Sequence, residues 1–205
     1  MHGPLVCVVD DDDAVRLSIS LLIETLGLPV RHFPSAVDML ADGDALDRAH
    51  CLVLDVRMPG LSGVGLQDRL GRIGHSAPII FVSAHGDVPM VARAMREGAF
   101  DFLQKPFNEQ VLLDRVQEAV QVAARRRSEG LKQAAIRRRL DCLTAREGEV
   151  LERMVAGRLN KQIADDLGIS MKTVEQHRAR VMEKLEVDSL AELVRIVISA
   201  GARGE

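Results

Sequence analysis

The sequence predicts an α/β doubly wound fold, a five-stranded parallel sheet, followed by a separate all-α domain. Three observations carry this. Short apolar runs alternate with amphipathic stretches five times through residue 121. The runs are apolar almost without interruption, as strands covered on both faces are. Beyond residue 143 only helical periodicity remains.

The strands are expected at "LVCVV" (5–9), "PVRHF" (29–33), "CLVLD" (51–55), "PIIFVS" (78–83) and "FDFL" (100–103). Helical stretches follow near 14–26, 35–42, 62–72 and 87–97, with a fifth from 108 onward. Strand then helix, repeated, makes a parallel sheet with helices on both faces. Such sheets bind ligands beyond the carboxyl ends of their strands. That rim collects Asp10 to Asp13 after the first strand, Asp55 at the end of the third, Ser83 at the end of the fourth and Lys105 after the fifth. Asp12 or Asp13 reads as a helix cap or a solvated turn residue.

Residues 1–121 form the first predicted domain, and 122–140 a basic, helix-favouring linker with Gly130 as an interruption. Residues 141–205 form the second domain. "LTARE" offers a capping box of Thr144 and Glu147, and Ser189 with Glu192 offers another. Between them, 160–185 reads as two helices broken at Gly168, with Ser170 capping the second. Ile163, Leu167, Ile169 and Val174 should fill the inner face, with Ala164 allowing close approach.

Charge and composition narrow the function. The net charge of −3 divides unevenly: residues 1–124 carry 10 basic and 17 acidic side chains, residues 125–205 carry 17 and 13. Only the second half invites a polyanion. Yet residues 141–205 hold 10 basic and 12 acidic residues, so any polyanion face there must be a local patch. The chain has no Trp and no Tyr, which argues against a stacking platform for single strands. Cys7, Cys51 and Cys142 lie at no metal spacing. No apolar run is long enough to span a bilayer, so a cytoplasmic protein without membrane contact is expected.

Carboxylates, one lysine and one hydroxyl on a single rim suit phosphoryl chemistry. A hard divalent cation, Mg²⁺ above all, offsets repulsion among the acids. A remaining carboxylate can attack phosphorus. "VVDDDD", "LVLDVRMPGLSG", "IIFVSAHGD" and "FDFLQKPF" together resemble the receiver domain of two-component response regulators. The resemblance implies Asp55 as phosphoacceptor, and Asp10 and Asp11 as the acidic pair, with Asp11 a direct Mg²⁺ ligand and Asp10 acting mainly through water. It implies the backbone carbonyl of Arg57 as a further ligand. Ser83 becomes the switch hydroxyl, Phe102 the switch aromatic and Lys105 the phosphate-pairing amine, before a proline usually joined in cis. Phe102 stands where Tyr is commoner.

The segment 143–198 resembles the LuxR-type helix-turn-helix domain, in the FixJ-like group of regulators. By position, Glu175, Gln176 and Ala179 would face the major groove. Gln176 can pair with adenine and Glu175 can accept from cytosine. Lys161, Lys172, Thr173, His177, Arg178, Arg180 and Lys184 would meet phosphates or base edges. Glu147 is the structural acid, and the last helix the usual dimer contact on DNA. The resemblance implies a non-enzymatic transcription factor. Its partners would be a sensor histidine kinase, double-stranded DNA, a second copy through the phosphorylated receiver, and RNA polymerase as a further candidate. Competing readings are a Mg²⁺-dependent phosphatase, for which Arg57 stands where a second catalytic acid is needed, and a receiver-type regulator acting without phosphorylation or through a protein or RNA partner.

Overall fold

The computed structural model describes residues 3–84 and 88–201. His85, Gly86 and Asp87, quoted above in "SAHGD", lie outside the described residues. The chain divides into two compact units, residues 1–127 and 128–205.

The first unit begins with β1 (Leu5–Val9), α1 (Asp13–Glu24), β2 (Val30–Phe33), α2 (Ala36–Ala41) and α3 (Gly43–Arg48). It continues with β3 (Ala49–Asp55), α4 (Gly63–Arg72), β4 (Ile79–Ser83), α5 (Val88–Arg96) and β5 (Asp101–Gln104). All strand pairs are parallel, in the order β2-β1-β3-β4-β5. Side chains alternate across the sheet and divide its core into two layers. Cys7, Val9, Leu52, Leu54 and Phe81 face α2 to α5, against Met39, Ala45, Leu66 and Ala94. Val6, Val8, Val53, Ile80 and Val82 face Ile19 and Ile23 of α1 and Leu112 and Val116 of α6 (Glu109–Asp141). Cys7 and Cys51 are buried free thiols, pushed upward by that burial, Cys7 to about 12.

Two differences from the expected elements have local causes. The expected helix at 35–42 is followed by the separate short α3. Asp42 caps it, accepting from Ala45 N at 3.0 Å, but only Ala45 is buried, so no apolar period announced it. The expected partly helical linker is instead one unbroken helix, α6, with Gly130 in its interior. Arg126 Nη1 donates to the Ser76 carbonyl at 3.5 Å and Arg127 Nη1 to the Asp47 carbonyl at 3.0 Å. No helix among the described residues is long and apolar enough to cross a membrane.

The second unit holds α7 (Ala145–Val155), α8 (Asn160–Leu167), α9 (Met171–Leu185) and α10 (Leu190–Gly201). Val150, Met154, Ile163, Val174, Val181, Leu185 and Leu193 form its core. The Thr144–Glu147 capping box is present in both directions. Gly168 takes the left-handed conformation, φ 63°, that ends α8, and the Ile169 N–H reaches the Ala164 carbonyl at 3.1 Å. Ser170 caps α9 by accepting from Thr173 N at 3.1 Å. The second expected box is only half formed. Ser189 accepts from Glu192 N, but the Glu192 carboxylate reaches Asp188 N rather than Ser189 N.

Candidate functional site: a carboxylate–ammonium pocket and a cationic helix pair

Strand ends at the carboxyl rim place Asp10, Asp55, Ser83 and Lys105 together. Asp55 pairs in register with Val82, and Ser83 with Gln104, so each functional residue sits at or one step beyond a paired position. Asp10, Asp55 and Ser83 are buried, at 2%, 7% and 1% exposure. Lys105 Nζ donates to Asp10 Oδ2 at 2.7 Å and to Asp55 Oδ1 at 3.1 Å. One ammonium thus meets acids 95 and 50 positions away in the sequence. The Lys105–Pro106 bond is cis, as the resemblance implied. The Lys105 N–H donates to the Ser83 carbonyl at 2.9 Å, tying the end of β4 to the pocket.

The backbone fixes the acids. Arg57 N donates to Asp55 Oδ2 at 2.6 Å, and Asp12 N to Asp10 Oδ1 at 3.0 Å. Arg16 holds the Asp10 carbonyl at 2.7 Å. Asp12 is the cap of α1, accepting from Ala14 N and Val15 N, and Asp13 pairs with Arg16. Two of the four aspartates therefore serve the helix start. Asp11 is exposed and lines an open groove with Arg57, Met58 and Arg93.

Burial raises the Asp55 carboxyl, and Asp10 pushes it the same way. The Lys105 ammonium and the Arg57 N–H pull it back without reversing the rise. Burial pulls Lys105 down, but its bonds to Asp10 and Asp55 more than reverse this, so the amine holds its proton. The donor set is all oxygen, which fits a hard divalent cation. Among the described residues, however, no three acidic, His or Cys side chains converge as a ready metal cage. The cation bridging Asp10 and Asp55 here is the ammonium.

Phe102 lies in register with Phe81, ring centroids 6.4 Å apart and tilted by 41°, and packs on the core layer facing α2 to α5. Gly63 was passed over in the sequence as a site residue. A Cβ there would fall 2.2 Å from the Asp55 carbonyl oxygen. The absent side chain lets α4 start directly against the strand that ends in Asp55. The signal was the Ser62–Gly63 pair: Ser62 caps α4, accepting from Gly65 N at 3.1 Å.

In the second unit, Lys172, Glu175, Gln176, Ala179 and Arg180 are exposed on α9, and Lys161 on α8. Thr173 and His177 are partly buried. Thr173 Oγ1 lies 2.8 Å from Ser170 Oγ within the cap. The buried Nδ1 of His177 has no hydrogen-bond partner among the described residues. Lys184 already has partners within this unit. It was expected to meet DNA, but its ammonium bonds the Glu147 carboxylate at 2.6 Å and the Cys142 carbonyl at 3.1 Å. It serves the domain's own packing, because Glu147 is buried and needs a cation. That bond and the Thr144 N–H hold Glu147 far below the usual range, at about 2.

Residues 6–117 match the response regulator receiver domain, and residues 141–197 match the luxR family of bacterial regulatory proteins. The chain is a response regulator. It joins a receiver to a LuxR-type DNA-binding domain, the architecture of a transcription regulator. The transcriptional regulatory protein FixJ of Azorhizobium caulinodans is 44% identical over 194 residues, 95% of this chain and 92% of that protein. Nodulation protein W of Bradyrhizobium diazoefficiens is 43% identical over 197 residues, 96% of this chain and 86% of that protein. The solved structure of the response regulator StyR superposes with a TM-score of 0.85 at 45% identity, covering 95% of this chain and 98% of that one. The first of these relatives is named a transcriptional regulatory protein.

Proposed function

We propose that this response regulator is phosphorylated on Asp55 by a sensor histidine kinase, dimerises through its receiver, and binds double-stranded DNA to regulate transcription. The observation that carries the reading is Lys105 bridging Asp10 and Asp55 from opposite ends of the receiver sequence. A carboxylate oxygen of Asp55 attacks phosphorus as the donor's bond to the phosphoryl group breaks, leaving an acyl phosphate. The developing negative charge needs positioned cations more than covalent help. Lys105 supplies one. Asp10, Asp11, Asp55 and the Arg57 carbonyl would hold Mg²⁺, which neutralises charge on the phosphoryl oxygens.

The phosphoryl group adds about −1.5 to −2 charge at neutral pH. Ser83 then donates to it, and Phe102 follows by repacking. The change reaches α5 and β5, the face that meets a second copy. Paired α9 helices place Glu175, Gln176 and Ala179 at base edges, with Lys172, Thr173, His177, Arg180 and Lys184 of α9 and Lys161 of α8 near phosphates. RNA polymerase is the next partner in that sequence, and the cytoplasm the expected compartment. The test is exposure to a small acyl phosphate with Mg²⁺, followed by peptide mass mapping. One hydroxylamine-labile phosphoryl group on Asp55, absent from Asp55→Asn, is the expected result. A regulator that works unphosphorylated would take up none and bind DNA equally with and without donor.

A further inference from the structure

The cations of residues 141–201 fall into two sets. Arg146, Arg153, Lys184 and Arg195 pair with Glu149, Asp166, Glu147 and Glu192. Arg158, Lys161, Lys172, Arg178 and Arg180 have no side-chain partner among the described residues, and all lie between 158 and 180. Acids are not lacking there: Asp165 and Glu175 are exposed in the same stretch. The unpaired cations therefore gather in one stretch of a domain whose acids outnumber its bases. The acids that pair lie with the four other cations.

Of the five unpaired cations, Arg158 has no role assigned above, and Arg178 only a place among the α9 groups that can meet phosphates or base edges. Arg158 and Arg178 line one surface groove with Lys161, which belongs to the expected phosphate contacts. The groove also takes in Met171, the first residue of α9, next to Lys172 and Thr173. Its apolar lining, Leu159, Met171 and Leu190, is exposed. Three like charges along one groove repel one another. A polyanion relieves that repulsion and releases its own counterions.

We propose that Arg158 and Arg178, with Lys161, form a phosphodiester clamp that holds the DNA strand flanking the α9 contacts. The clamp rests on the DNA-binding reading and deepens it. A strand passing Lys172 and Thr173 continues over Met171 into the groove. Phosphate is the ligand class favoured over an acidic protein segment, because Lys161 and Met171 make the groove continuous with the proposed DNA face. The clamp positions the domain and does not read bases, because arginine on phosphate carries no sequence information.

The experiment measures affinity of the full chain for random-sequence duplex across a salt series. Each lost phosphate contact should reduce the slope of log affinity against log salt by about 0.9. Arg158→Ala and Arg178→Ala should each show that loss. Arg158→Lys and Arg178→Lys should restore most of it. Arg195→Ala, whose side chain is 76% exposed but paired with Glu192, serves as the charge control and should change the slope little. Circular dichroism establishes that each variant is folded. Folded Arg158→Ala and Arg178→Ala with the parental slope overturn the clamp. So does equal loss in Arg195→Ala, which would mark a general charge effect. Parental DNA binding with lost transcription in a purified polymerase system also overturns it and assigns the groove to a protein. Failure of the parent chain to bind duplex at any salt removes the DNA-binding reading itself, and is distinguishable from all three.

Discussion

Lys105 neutralises one of the two carboxylates it touches and leaves the pocket with a surplus negative charge. That surplus, and burial, raise the Asp55 carboxyl. A raised folded value makes the ionised acid destabilising: stability is full below the ordinary 3.8 and falls as pH rises through the folded value. Asp55→Asn should therefore unfold at a higher temperature at neutral pH, while losing phosphorylation; calorimetry checks the first. Glu147 runs the other way. Its folded value of about 2 lies below the ordinary 4.5, so its contribution is present above 4.5 and is lost as pH falls toward 2. Glu147→Gln should flatten acid unfolding of the full chain across that window and lower stability above it, as followed by circular dichroism. At this scale the receiver residues were legible, because each follows an apolar run that marks a strand end. The partner of Lys184 was not legible, because spacing on a helix does not reveal that a buried acid 37 residues away holds the ammonium.

The start of α4 depends on an absence. A methyl group at residue 63 would meet the Asp55 carbonyl oxygen at 2.2 Å, which neither backbone can yield cheaply. Gly63→Ala should cost roughly 1–3 kcal/mol and slow phosphorylation by shifting Asp55, measured by denaturant unfolding and by the rate of label uptake. Gly130 is the opposite case. It lies in the interior of α6, exposed, and a Cβ there meets nothing within 4 Å. Gly130→Ala should stabilise the helix by up to about 1 kcal/mol, seen as a rise in helical ellipticity and melting temperature. The sequence pointed to five strands and the four output helices because their apolar periods are strong. It understated α6, since charged residues and a glycine hide helical continuity, and it missed α3, which buries a single alanine.

At the scale of the molecule, the proposed function requires that one chemical event in the receiver alter what the helix-turn-helix does. The receiver carries the surplus acid, and the unpaired cations among the described residues of the output domain gather between 158 and 180. Phosphorylation should raise the dimer population, as seen by sedimentation, and tighten binding to a two-half-site operator more than to a single half-site, as paired contacts multiply. Gln176→Ala should relax preference at one base position and leave the salt dependence unchanged, in binding-site selection from random DNA. The charge totals of the output domain gave little guidance, because totals do not reveal which acids are already paired.

The most direct measurement is stoichiometry of phosphoryl uptake from a small acyl phosphate, in parent, Asp55→Asn and Lys105→Met. One group per parent chain, mapped to Asp55, none in Asp55→Asn and strongly slowed uptake in Lys105→Met is the predicted result. Undiminished uptake in Asp55→Asn, or label mapped to another residue in the parent, would contradict it.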